Sequence, residues 1–88
     1  MQYLDFDLMK RLNQAAGRHY FDNDTMKFFK SRLLDCKVNG VFIESIKAGF
    51  TSSERIYKVC KFDIETGKVS NLKKFDSLYQ ARKFFKSL

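Results

Sequence analysis

Asn39-Gly40 stands between two apolar runs, Leu34 to Val38 and Val41 to Ala48, and no other feature of this chain restricts its possible folds so sharply. An Asn-Gly pair flanked by strand-like segments is the strongest short hairpin signal, because both turn positions take positive φ in the tight turn that matches strand twist. Antiparallel pairing is therefore expected in the middle of the chain. At 88 residues there is room for one domain with one core. Apolar residues make up 44% and include ten Phe, enough buried area to offset the entropy of ordering the chain.

The hairpin continues into further strands. Gly49 to Glu54 reads as a polar loop, Arg55 to Ile64 as a long strand, Glu65-Thr66-Gly67 as a turn, and Lys68 to Phe75 as the returning strand. Helical spacing frames this sheet. Leu4, Leu8, Met9, Leu12, Ala15 and Ala16 form one stripe, with Asp5 and Asp7 in the first turn and Gly17 past the end. A second short helix is capped by Asp22 or Asp24 and turns Met26, Phe29 and Leu33 inward, with Phe28 beside them. The last helix opens at Asp76-Ser77, with Ser77 and Gln80 spaced as a capping box, and buries Leu78, Ala81, Phe84 or Phe85, and Leu88. The fold class is α+β, a four-stranded antiparallel sheet in the order α-α-β-β-β-β-α. Short connections favour helices on one face, leaving the other for function.

Charge is distributed unevenly along the chain. Residues 1 to 44 carry seven Lys/Arg against six Asp/Glu, or +1, whereas residues 45 to 88 carry ten against four, or +6, of the +7 total. The second half is thus expected to meet any negative partner. Strand alternation places Arg55, Tyr57 and Lys61 on one face with Val59, and Lys58 on the other with Ile56, Cys60 and Phe62. A face bearing Arg55, Tyr57 and Lys61 has the parts of a nucleic-acid platform, with cations for phosphates and a ring for stacking. Lys68, Lys73 and Lys74 extend it along the next strand. Tyr79, Arg82, Lys83 and Lys86 form a second group along the last helix, at spacings that suit phosphate or the helix dipole. Lys on strands also guards against edge pairing, and a solvated cationic surface is the alternative reading.

Chemistry finds less support. Two cysteines, Cys36 and Cys60, and one histidine supply no recognisable metal spacing, so no metal or cofactor is expected; free buried thiols are the commoner state for cysteines in such apolar runs, and a disulfide between the two is the alternative. His19 has no nucleophile tied to it by spacing and is expected at the core edge beside Tyr20 and Phe21. The ten acids are scattered, so an enzyme is the least supported class. Phe28, Phe29, Phe84 and Phe85 read as core doublets; one exposed ring from each would instead make an apolar docking spot ringed by lysines. No apolar run approaches the ~20 residues of a membrane span, and Met1 leads straight into an amphipathic segment, so a soluble, intracellular protein without a membrane partner is expected.

The run His19-Tyr20-Phe21, Asp24-Thr25-Met26, Phe28-Phe29 and Ser31-Arg32, followed by Val41-Phe42-Ile43-Glu44-Ser45 and Tyr57-Lys58-Val59, resembles a family of small bacteriophage and prophage proteins over about residues 15 to 80. That resemblance implies a non-enzymatic accessory protein in the host cytoplasm. Its expected action is occlusion of a host nuclease or effector complex, of which anti-CRISPR inhibitors are the leading example. Residues 55 to 88 are similar to the strand-strand-strand-helix DNA-binding domains of phage integrase arms and plant ethylene-response factors. This second likeness implies strand cations, here Arg55, Lys58, Lys61, Lys68 and Lys73, gripping phosphates, although the Arg and Trp richness of those domains is missing. Double-stranded RNA-binding domains share the helix, strands, helix order but begin their last helix with lysines that Ser77 to Gln80 lack. Direct DNA or RNA binding is thus the alternative to a protein target.

Overall fold

The computed structural model describes residues 4–48 and 54–88. Its elements are α1 (Phe6–Ala15), α2 (Asn23–Phe28), β1 (Arg32–Cys36), β2 (Val41–Lys47), β3 (Arg55–Asp63), β4 (Lys68–Phe75) and α3 (Leu78–Ser87). The strands form one antiparallel sheet in the order β1-β2-β3-β4, so the α+β architecture and element order match the expectation. Of the polar loop expected at Gly49 to Glu54, residues 49–53 lie outside the described residues.

Helices cover both faces of the sheet, which corrects the one-sided packing read from the sequence. Phe42, Cys60 and Phe62 pack with Leu4, Met9 and Phe21 on the α1 side, whereas Val41, Ile43 and Val59 pack with Ala81 and Phe85 of α3 on the other. The cause is the run Val41-Phe42-Ile43, which is apolar on alternate sides of one central strand. Leaving Val41 and Ile43 in water would forfeit roughly 1.5–3 kcal/mol each, so the second face also needs a cover.

The Asn39-Gly40 hairpin is present with a different turn. Gly40 N–H donates to the Lys37 carbonyl at 3.0 Å and Lys37 N–H to that of Val41 at 2.8 Å, while Gly40 alone in the loop has positive φ, at 88°. This is the three-residue loop with glycine in the left-handed position, so Asn39 keeps ordinary backbone and β1 ends before Val38. Its Oδ1 accepts instead from Val41 N–H at 3.3 Å. Leu34 faces the α3 cluster by ordinary alternation from Leu33, and a bulge between Leu33 and Cys36 lets Asp35 reach α3 on the same side.

Asp5 caps α1 by accepting from Leu8 N–H at 2.8 Å. Asn13, fully buried on that helix, ties it to the sheet: Nδ2 donates to the Gly67 carbonyl at 2.8 Å and Oδ1 accepts from Tyr20 N–H at 3.0 Å. Ser77 caps α3 as expected, accepting from Gln80 N–H at 3.4 Å, and Ala81 and Phe85 are buried. Leu88, expected inside, is exposed. Cys36 and Cys60 are free thiols.

Candidate functional site

The short helix α2 departs most from its expected role. It buries no residue, and Phe28 and Phe29 are 68% and 54% exposed, an edge-to-face pair with ring centroids 5.0 Å apart. Six residues are too few to build an apolar stripe, and Phe29 is already the C-cap. The other doublet does enter the core, with Phe85 buried and Phe84 packed beside it against Phe75. Asp22 precedes α2 without a side-chain cap bond. Its carboxylate accepts from Gln14 Nε2 at 3.0 Å and lies 2.8 Å from His19 Nδ1, contacts that hold its pKa below the usual range. His19 is therefore a surface group, 77% exposed in its side chain, and lies outside the core edge where it was expected.

The C-terminal end of α2 is built as a Schellman turn. Ser31 N–H donates to the Met26 carbonyl at 2.8 Å and Lys30 N–H to that of Lys27 at 3.2 Å. Lys30 occupies the left-handed position that glycine usually fills, with φ 53°. Arg55 holds it there from the sheet: one Nη2 donates to the Lys30 carbonyl at 2.6 Å and to the Ser45 carbonyl at 2.8 Å, while Nε donates to the Ser45 hydroxyl.

Around this turn five cations gather. Lys27, Lys30, Arg32, Lys47 and Arg55, with Met26 and Ser31 between them, line a concavity of about 410 Å³. Lys47 and Arg55 are direct cross-strand partners, an arrangement of like charges that costs stability on its own. An anion seated among them relieves that cost.

A second, smaller cavity of about 260 Å³ adjoins the first and shares Met26 and Ser31 with it. Glu44, 4% exposed, forms its floor. Oε1 accepts from the Tyr20 hydroxyl at 2.5 Å and pairs with Lys58 Nζ at 3.1 Å, while Oε2 accepts from the Ser31 hydroxyl at 2.6 Å. Burial, and then the bond to Glu44, push the Tyr20 pKa up, so the phenol stays a donor. Met26, Phe29 and Ile46 supply apolar wall.

The residues expected to bind are not gathered on one surface. Lys58 is turned inward to Glu44 with its side chain 13% exposed, and Arg55 is committed to backbone carbonyls. Tyr57 is half-buried in the cluster beneath α3. Lys73 lies over the rings of Phe75 and Phe84, at 5.3 and 5.7 Å. Lys61, Lys68 and Lys74 are exposed, but Lys74 pairs in register with Lys58 and Lys61 with Ser70, two positions of opposite face. The α3 group does come together: Tyr79, Arg82, Lys83 and Lys86 line a shallow surface with Leu78, although Arg82 Nε is bound to Asp35 Oδ2 at 3.0 Å. Of the ten residues, only Arg55 belongs to the five-cation concavity. Counting charge by halves of the chain hid Lys27, Lys30 and Arg32, whose half is nearly neutral.

Among the described residues no three His, Cys, Asp or Glu side chains converge as a metal site, and no described helix is long and apolar enough to cross a membrane. No curated protein and no solved structure matches the chain. Residues 5–86 match the Family of unknown function (DUF7447), and the chain belongs to that family.

Proposed function

We propose that the protein is a non-enzymatic binding module that grips the phosphates of a single-stranded nucleic acid in the concavity beneath α2. The observation that carries this reading is the gathering of Lys27, Lys30, Arg32 and Lys47 around the turn that Arg55 fixes, beside the exposed Phe28–Phe29 pair. Cations that follow a phosphate backbone, next to rings on which bases stack, are the two parts such binding needs. A duplex offers phosphates but no unstacked base, so single strands bind more tightly. The test is an anisotropy titration of labelled single-stranded DNA and RNA at two salt concentrations. Affinity falls with salt, and the triple variant Lys27→Ala, Lys30→Ala, Arg32→Ala loses it; undetectable binding by the wild type near physiological salt rejects the reading.

The exposed Phe28–Phe29 pair also supports a second reading, that of a phage accessory protein which occludes a host nucleic-acid-processing complex of the anti-CRISPR type. Two adjacent exposed rings amid lysines form a compact apolar spot of the kind that anchors protein interfaces. Co-purification with a host nuclease complex, abolished by Phe28→Ala with Phe29→Ala, tests it.

A further inference from the structure

The smaller cavity has no part in holding phosphates, and its chemistry differs from that of its neighbour. We infer that it receives one unstacked nucleobase of the strand whose phosphates lie in the five-cation concavity, an inference that rests on the phosphate reading above. Continuity is the first support. Met26 and Ser31 line both spaces, so a base and its own phosphate fit side by side across that shared rim. Size is the second: about 260 Å³ falls just below the usual span of small-molecule sites, room for one flat ring system rather than an extended ligand.

Lining chemistry is the third. Met26 and Ile46 offer apolar surface to the faces of a ring, and Phe29, half exposed at the mouth, offers an aromatic one. At the floor, Glu44 accepts two hydrogen bonds, from Tyr20 on Oε1 and Ser31 on Oε2, and is ion-paired with Lys58 through Oε1, of the roughly four contacts a carboxylate can take. One acceptor position is left for a ring or exocyclic N–H. Lys58 carries three ammonium donors, of which Glu44 occupies one, leaving others for a carbonyl or ring nitrogen. The ion pair sets an ammonium beside a carboxylate whose Oε2 accepts only from Ser31, so a donor and an acceptor stand side by side as they do along the edge of a nucleobase. A purely apolar ligand would leave that buried pair without new partners, and a second phosphate would be repelled by Glu44.

Two labelled single-stranded oligonucleotides of equal length separate the elements of this inference, one with normal bases and one abasic throughout. The wild type binds the normal strand roughly ten-fold or more tightly than the abasic strand. Thr25→Trp, which fills the cavity from α2, and Ile46→Phe, which fills it from the sheet, weaken binding of the normal strand several-fold without changing abasic binding, and leave only the preference that stacking on Phe28 and Phe29 supplies. Equal affinity of the wild type for both strands, or a preference undiminished in both filled variants, overturns base capture and leaves phosphate binding standing. Failure of the wild type to bind either strand overturns the phosphate reading and this inference together.

Discussion

Glu44 and Lys58 face each other across the β2–β3 ladder, and their side chains meet at 3.1 Å with 5% and 13% of their surfaces in water. The pair is buried under α2 and the Tyr20 ring, whose centroid lies 5.9 Å from the ammonium. Two charges out of water persist only with further hydrogen bonds beside their own attraction, and the hydroxyls of Tyr20 and Ser31 supply two of them to the carboxylate. Three separate segments of chain therefore converge on a carboxylate carried by a fourth.

Removal of one partner is more damaging than removal of both. Glu44→Ala leaves the Lys58 charge and two hydroxyls without their acceptor, at a cost of about 3–5 kcal/mol, whereas Glu44→Met with Lys58→Met loses far less. Urea denaturation of the two variants checks the difference. If the single variant is the more stable, the pair does not organise this region.

Gly67 is where α1 rests on the β3–β4 turn. Its φ is 69°, and a Cβ there would stand 2.7 Å from that of Ala16 and 3.1 Å from the Leu12 carbonyl. Gly67→Ala therefore adds a left-handed backbone cost of about 1–2 kcal/mol to a clash that pushes α1 outward. Thermal unfolding shows a drop of several degrees or more for a domain of this size. The Asn13 bond to the Gly67 carbonyl loosens with it, so amide exchange quickens in α1 before the sheet.

These contacts mark the limit of what the sequence discloses. β3, β4 and the capped start of α3 are legible because alternation, a Thr-Gly turn and a Ser77 cap all point the same way. The side that α3 covers is legible in retrospect from Val41-Phe42-Ile43, whose lack of alternation signals burial on both faces. Glu44, a lone acid in that apolar run, is the one local sign of the polar floor. The five-cation concavity left no such sign. It depends on a β2–β3 register that sets Lys47 opposite Arg55 and on a turn that brings Lys30 to the Arg55 guanidinium, relationships that no local spacing encodes.

Cys60 is fully buried, and burial followed by the nearby Glu44 pushes its thiol up to about 11 from 9.0. The thiolate is the reactive form, so iodoacetamide at pH 8 leaves Cys60 unmodified in the folded protein and labels it in urea. Cys36, half-buried and also raised, reacts slowly in the native state. Mass spectrometry reads both. The sign of the linkage is also set: the buried neutral thiol favours the fold below about 9, and this contribution is lost as pH rises toward about 11. Rapid native labelling of Cys60 would contradict the packing of Phe42 and Phe62 around it.

Lys30 separates stability from binding. A non-glycine residue at φ 53° bears a left-handed cost of about 1–2 kcal/mol, which glycine avoids while losing part of the gain to its own chain entropy. Lys30→Gly therefore leaves stability unchanged or raises it by up to about 1 kcal/mol, since the Schellman turn and the carbonyl that Arg55 holds are both backbone features. The same substitution removes one cation from the concavity. Affinity for single-stranded nucleic acid falls, and the slope of log K against log salt becomes shallower by about one phosphate contact. Denaturation of this one variant thus shows no loss of stability while its salt-dependent titration shows a loss of binding. A loss of stability with an unchanged salt slope would show that Lys30 is kept for packing and that phosphates are held elsewhere.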